Sequence, residues 1–337
     1  MDAKITKKRL ADNLQYDWIK ILVFIVAAIF LLELVYTVSA VRVKTGQNFK
    51  VYYGSGVRSN NAASFYKLLD KEDVLSYDVF EKNVEVLTSE YESTVLSARM
   101  SVAEGDIILL DNVLTYSATE SKKEDKRAAN SSFKNMVNSY SMYDFDSLIS
   151  DAEKYLSKFY VDGTLDKSKV EEHFRTRMKK DNRFKKESKI KEGVLLEINR
   201  IEVLKRETDA FKYLLETYSD SGLFAEYVRF ENMYFNELSD EDYSKVVNGE
   251  APTGEYEYKA YYEQETAKKY AINCEFLTGG KNDIVNLFAV GTNTTGKDAY
   301  IMVFNFLDKQ PDLQFEVIPV INEIVRTYSN LFDGYNA

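Results

Sequence analysis

Residues 49–56 read FKVYYGSG, and residues 104–112 read EGDIILLDN. The first is a β-favouring run closed by Gly54-Ser55-Gly56. The second is a turn feeding four consecutive apolar residues, Ile107-Ile108-Leu109-Leu110. A short apolar run bounded by turn signals suits a strand covered on both faces. Between the two stretches the periodicity changes. Ala63, Tyr66 and Leu69 recur at helical spacing behind a capping Ser59 or Asn60. Val84-Glu85-Val86-Leu87 reads as a second strand. Tyr91 to Ala103 then reads as a helix with Val95, Leu96, Met100 and Val102 as its apolar positions. Strand, helix, strand, helix, strand over residues 49–112 predicts an α/β fold built on a parallel sheet.

Ligands of such sheets bind outside the carboxyl ends of the strands. Those ends are Gly54-Ser55-Gly56, the Thr88-Ser89 turn and Asp111-Asn112. Gly54, Ser55 and Gly56 would offer backbone N–H groups, and Asp111 and Asn112 would offer side chains, so these five form the candidate ligand site. Glycines also simply turn chains. Asp106 reads as a residue that turns the chain into its strand.

Toward the N-terminus, Ile21 to Val41 is an apolar run broken only by Glu33. About 20 helical residues cross a hydrocarbon core of roughly 30 Å. Tyr16 and Trp18 at one end and Tyr36 near the other match interfacial aromatics. Lys4, Lys7, Lys8, Arg9 and Lys20 outnumber Arg42, Lys44 and Lys50, which puts the N-terminus on the cytoplasmic side. Val38-Ser39-Ala40 resembles a cleavage site, yet the charged tail and the apolar run are both long for a signal peptide. The reading is an uncleaved signal-anchor: residues 1–20 a cytoplasmic tail, 21–41 the span, 42–337 an extracellular body. Glu33 either snorkels to the interface or meets a partner helix.

Toward the C-terminus, residues 117–132 are polar and loop-like. From Phe145 to Tyr218 the pattern is helical, with Leu148, Ala152, Tyr155, Leu156 and Phe159 on one face. Val194, Ile198, Ile201 and Leu204 mark a long helix. Tyr256 to Tyr262 alternates like an exposed strand. Asp283 to Val290 and Ala299 to Phe306 read as strands joined in a hairpin through Gly291 to Gly296. Phe315 to Tyr328 reads as a final amphipathic helix.

Composition narrows the function. The net charge is −10; residues 1–41 hold five basic and four acidic residues, which leaves −11 on residues 42–337. An acidic body argues against nucleic-acid binding. One cysteine, Cys274, allows neither an internal disulfide nor a thiolate metal cluster. One histidine, His173, builds no multi-histidine metal site, and in EEHFRTRMKKDNRFKK it reads as a solvated residue. Gly279-Gly280-Lys281 lacks phosphate-loop spacing. No cofactor motif and no catalytic set stands out, so an enzyme is not expected. Arg175 to Lys191 holds nine basic residues against Asp181 and Glu187. That segment reads as a solvated surface, or as a contact for an anionic envelope polymer or membrane surface.

The stretch from Phe49 to Asn112 resembles the opening of an extracellular solute-binding protein of the type 2 periplasmic-binding-protein fold. The resemblance rests on the opening strand after the membrane segment, on VEVLT before the helix YESTVLSARMSVAEG, and on GDIILLD. It covers about 65 residues. The chain also resembles membrane-anchored proteins of low-GC Gram-positive bacteria. The resemblance implies two lobes, the first from about 49–113 plus 270–337 and a largely helical second from about 114–269. It further implies a small-molecule or peptide ligand, and the permease subunits of an ABC importer as membrane partners. It departs from the family in having a transmembrane helix in place of a lipidated cysteine and no tryptophan-rich ligand surface. The alternative is a non-catalytic envelope scaffold or interaction protein that keeps the fold without the ligand.

Overall fold

A computed structural model describes residues 7–39, 43–44, 46–112, 131–227, 239–247 and 267–335. The chain divides into two units, Met1–Val43 and Lys44–Ala337.

The first unit is one helix, α1 (Lys7–Ser39), 33 residues long. It starts well before the expected span, because the charged tail from Lys7 is itself rich in helix formers such as Leu10, Ala11 and Leu14. Within it, Trp18–Val35 is long and apolar enough to cross a membrane, and its side chains are exposed. Ala40, Val41 and Arg42 lie outside the described residues.

The second unit opens with β1 (Asn48–Tyr53), β2 (Val57–Ser59), α2 (Ala62–Leu69), β3 (Glu81–Val86), α3 (Glu92–Ser101) and β4 (Ile107–Asp111). It continues through α4 (Ser132–Ser139), α5 (Phe145–Leu156), β5 (Tyr160–Val161), β6 (Thr164–Leu165), α6 (Lys167–Arg177) and α7 (Glu187–Thr217). The last elements are β7 (Phe224–Tyr227), α8 (Asp240–Val247), β8 (Lys268–Asn273), β9 (Phe288–Val290), β10 (Ala299–Val303) and α9 (Val317–Tyr328). Asn61, not Ser59 or Asn60, caps α2: its side chain accepts from the Ser64 N–H.

Six strands form one mixed sheet in the order β3-β1-β4-β10-β8-β7. β3, β1 and β4 are parallel, as expected, and β10 then joins β4 antiparallel. Side chains alternate between the faces of a strand. Phe49, Val51 and Tyr53 of β1 and Ile107 and Leu109 of β4 point into one core; Tyr52, Ile108 and Leu110 point into the other. α2 covers the first face through Phe65, Leu68 and Leu69, and α3 covers the second through Leu96. Opposite placement of the two crossover helices is what right-handed connections demand when the strand order reverses at β1.

The helical middle does not stand apart as a second lobe among the described residues. Leu148, Ile149 and Ala152 of α5, and Ile201, Leu204, Phe211 and Leu214 of α7, share the core of the first sheet face with α2 and α9. Helices with an apolar stripe bury it on the nearest apolar layer, and here that layer is the sheet itself. The expected hairpin is also corrected. β9 pairs with β2 in a separate ribbon, while β10 pairs with β4 and β8. Residues 291–298 carry the chain from one sheet to the other. The expected loop over 117–132 falls almost wholly, and the expected strand over 256–262 wholly, outside the described residues.

Candidate functional site

The strand order reverses between β1 and β4, so their carboxyl ends define the place where this topology accepts a ligand. The structure brings all five candidate residues there. Several of their groups are engaged by the chain itself. The Gly54 N–H donates to the Leu109 carbonyl at 2.8 Å, and the Val57 N–H donates to the Gly54 carbonyl at 2.9 Å. Gly56 lies so close to Asp111 that a Cβ would come within 2.5 Å of its carboxyl carbon. The glycine is thus required by close approach, the bland reading of its residue type. Asn112 is engaged as well: its Nδ2 donates to the Tyr300 hydroxyl at 2.8 Å and its N–H to the Asp298 carbonyl at 2.7 Å. Ser55 is exposed, with its N–H 3.4 Å from Glu92 Oε2.

The opposite end of the same strands holds the buried charge. Asp106, just before β4, accepts the Lys50 N–H at 2.7 Å and returns its own N–H to the Lys50 carbonyl at 2.9 Å. It therefore turns the chain into its strand, as read. Burial pushes its carboxyl up to about 7, against the pull of the Lys50 N–H. Asp78, just before β3, accepts from Gln47 Nε2 at 2.9 Å, from Arg177 at 2.7 Å and from Arg183 at 2.6 Å.

Glu197 of α7 is fully buried and accepts from Tyr77, Arg177 and Arg200, each at an N–O or O–O distance between 2.6 and 2.9 Å. Burial alone would raise its carboxyl; Arg200 and Arg177 overcome that and hold it at about 2. Arg200 also donates to the Tyr155 hydroxyl at 2.6 Å, to the Asp312 carbonyl at 2.9 Å and to Glu316 at 3.2 Å. Glu316 stays raised by burial despite Arg200. His173 is not a solvated residue: Nε2 sits 3.0 Å from Asp312, and its ring meets the edges of Tyr155 and Phe159. The signal for this network was diluted in the sequence. Glu197 and Arg200 look like polar-face residues of a long helix, and Asp78 is about a hundred positions away from the arginines that reach it.

A small cavity adjoins the network, lined among others by Ser76, Tyr77, Asn199, Arg200, Glu316 and Pro319. Its volume of about 150 Å³ is below the roughly 300–1,000 Å³ of small-molecule sites. Among the described residues no cluster of acidic, histidine or cysteine side chains could hold a metal ion. Cys274 is fully buried, and burial pushes its thiol well up.

No family model matches the chain, and no curated protein or solved structure matches it either.

Proposed function

We propose that this is a single-pass membrane protein, N-terminus cytoplasmic, whose extracellular body is a non-catalytic interaction module of the cell envelope. One observation carries the reading. At the carboxyl ends of the parallel strands, Asp111 is packed on Gly56 and Asn112 is bonded to Tyr300, so the customary ligand position is spent on internal contacts. A helix able to span the bilayer and an acidic body support the location. The second reading is a tethered solute-binding protein working beside an ABC importer. The strand order β3-β1-β4, with Gly54-Ser55-Gly56 at the reversal, favours that one.

A thermal-shift screen of the detergent-solubilised full chain against sugars, amino acids and peptides separates the two. A ligand that binds only the folded state raises its stability by mass action. The interaction module gives no shift with any class. A concentration-dependent shift lost in Asp111→Ala overturns it and supports the transport reading. Topology is tested by Ser55→Cys in intact cells, since buried Cys274 gives no background. An impermeant maleimide labels it before lysis; labelling only after lysis overturns the orientation.

A further inference from the structure

The basic segment is not uniformly spread over the surface. Of its nine basic residues, the three arginines are spent internally. Arg175 pairs with Glu171 and Glu187, Arg177 with Asp78 and Glu197, and Arg183 with Asp78 and Asp181. Lys189 pairs with Glu192, and Lys191 lies close enough to Glu187 to pull its carboxyl down. Lys179, Lys180, Lys185 and Lys186 remain, all exposed and without an ion pair among the described residues. They flank the single 3-10 turn Asn182–Phe184 that joins α6 to α7.

That turn is clamped to the first residues of the second unit. Asp181 accepts from Arg183 at 2.8 Å and lies 4.0 Å from the Lys44 ammonium. Arg183 and Gln47 both donate to Asp78. The Arg183 guanidinium also stacks 4.3 Å from the ring centroid of Phe80, an aromatic left 40% exposed. The four free lysines and Lys44 therefore share one rigid corner with an exposed aromatic ring. Only four residues of chain separate Lys44 from Ser39, the last residue of α1.

We propose that this corner docks on anionic phospholipid headgroups of the membrane that α1 spans. The inference rests on the membrane-tethered reading. An acidic body held by a short chain at an anionic surface is repelled by it, unless the part nearest the attachment is basic. The attraction of lysines to such a surface fades within a Debye length, about 8 Å at physiological salt, so only residues near the attachment point are useful. Those are the residues that Asp181, Asp78 and Arg183 hold in place. A partly exposed ring among lysines is the composition that favours the interface over bulk water.

The test uses the full chain in lipid nanodiscs. A fluorophore is placed at Lys185→Cys, with Cys274 buried and silent, and is quenched by lipids that carry a headgroup spin label. A second probe at Thr294→Cys, in the turn between β9 and β10, serves as reference. On an equal mixture of phosphatidylcholine and phosphatidylglycerol, quenching at position 185 is several-fold stronger than on phosphatidylcholine alone. Molar salt removes it, and so does the K179E/K180E/K186E variant, which keeps the parent melting temperature because those lysines touch no acid. Equal quenching on both lipids, or none on the anionic discs, overturns headgroup docking, whether or not the turn binds a soluble polyanion. A chain that never enters the discs overturns the tether and this proposal together; one that enters without quenching overturns the proposal alone.

Discussion

The two ends of the parallel strands β3, β1 and β4 are built on opposite principles. At the amino ends, carboxylates are buried deeply and met by arginines, backbone N–H groups and a glutamine. At the carboxyl ends, the residues are small or half-exposed, and contacts are few and close: Gly56 on Asp111, Asn112 on Tyr300. The difference teaches where this molecule places its polar chemistry. It lies at the end where the chain enters from α1, and it is committed to holding α6, α7 and the 73–81 segment together. Buried ion pairs are weak evidence of net stability, but breaking one strands its partners. The amino end should therefore be brittle and the carboxyl end forgiving.

The sharpest way to break the comparison is Arg200→Ala. It leaves Glu197 and Glu316 buried with fewer donors, and the expected cost is about 3–5 kcal/mol in a denaturant titration. A loss below that of an ordinary surface change would show that water reaches the network freely.

Asp106 supplies a test that depends on pH. Its carboxyl is raised from 3.8 to about 7 in the folded chain. Its contribution is thus fully present below the unfolded value and is lost as pH rises through the folded one. Stability should fall by up to about 4 kcal/mol across that window, and Asp106→Asn should flatten the profile while keeping an acceptor for the Lys50 N–H. Glu197 runs the other way: held at about 2, it stabilises above the ordinary carboxylate range and loses that contribution as pH falls toward 2. Melting curves of parent and Asp106→Asn across the range measure both slopes.

At the carboxyl end the effects are smaller. Gly56→Ala should cost about 1–3 kcal/mol through collision with Asp111, and Asp111→Gly, which removes the Cβ as well as the carboxyl, should restore most of it. Failure of the rescue would mean that the glycine serves its backbone and not its neighbour. Tyr300→Phe removes one hydrogen bond from Asn112 and should cost about 0.5–1.5 kcal/mol in the same titration. A larger loss would give this end the weight assigned to the other.

The parallel half of the sheet was legible because its signals are local. Ile107 to Leu110 is apolar without alternation since α2 and α3 cover both faces, and each crossover helix carries its own spacing. In the antiparallel half only β10 was legible, within the strand read over Ala299 to Phe306, and its pairing was not. β8 begins with two lysines, and its burial depends on β10 and β7, which lie far away in sequence. The pairing of β9 with β2 spans more than two hundred residues, and no turn signal announces it. One missed element did have a signal. Asp162-Gly163 joins β5 to β6 with positive φ at both positions, +49° and +77°, as a type I′ hairpin turn requires. Its two-residue strands are simply too short to interrupt a helical reading. The five candidate ligand residues were placed by topology alone, and sequence spacing could not reveal how tightly Gly56 and Asp111 meet.

The pairing of β4 with β10 joins Asp111 to Ala299. In biosynthesis this sets an order of events. A ribosome adding roughly 5–20 residues per second needs on the order of ten seconds or more to reach β10 after β4 has emerged. Throughout that interval β4 has one unpaired edge, and α1 has long since left the tunnel. Half of the sheet is thus still unwritten when its first three strands are complete. Any translation stop before residue 299 leaves an apolar strand edge exposed, a substrate for cellular quality control.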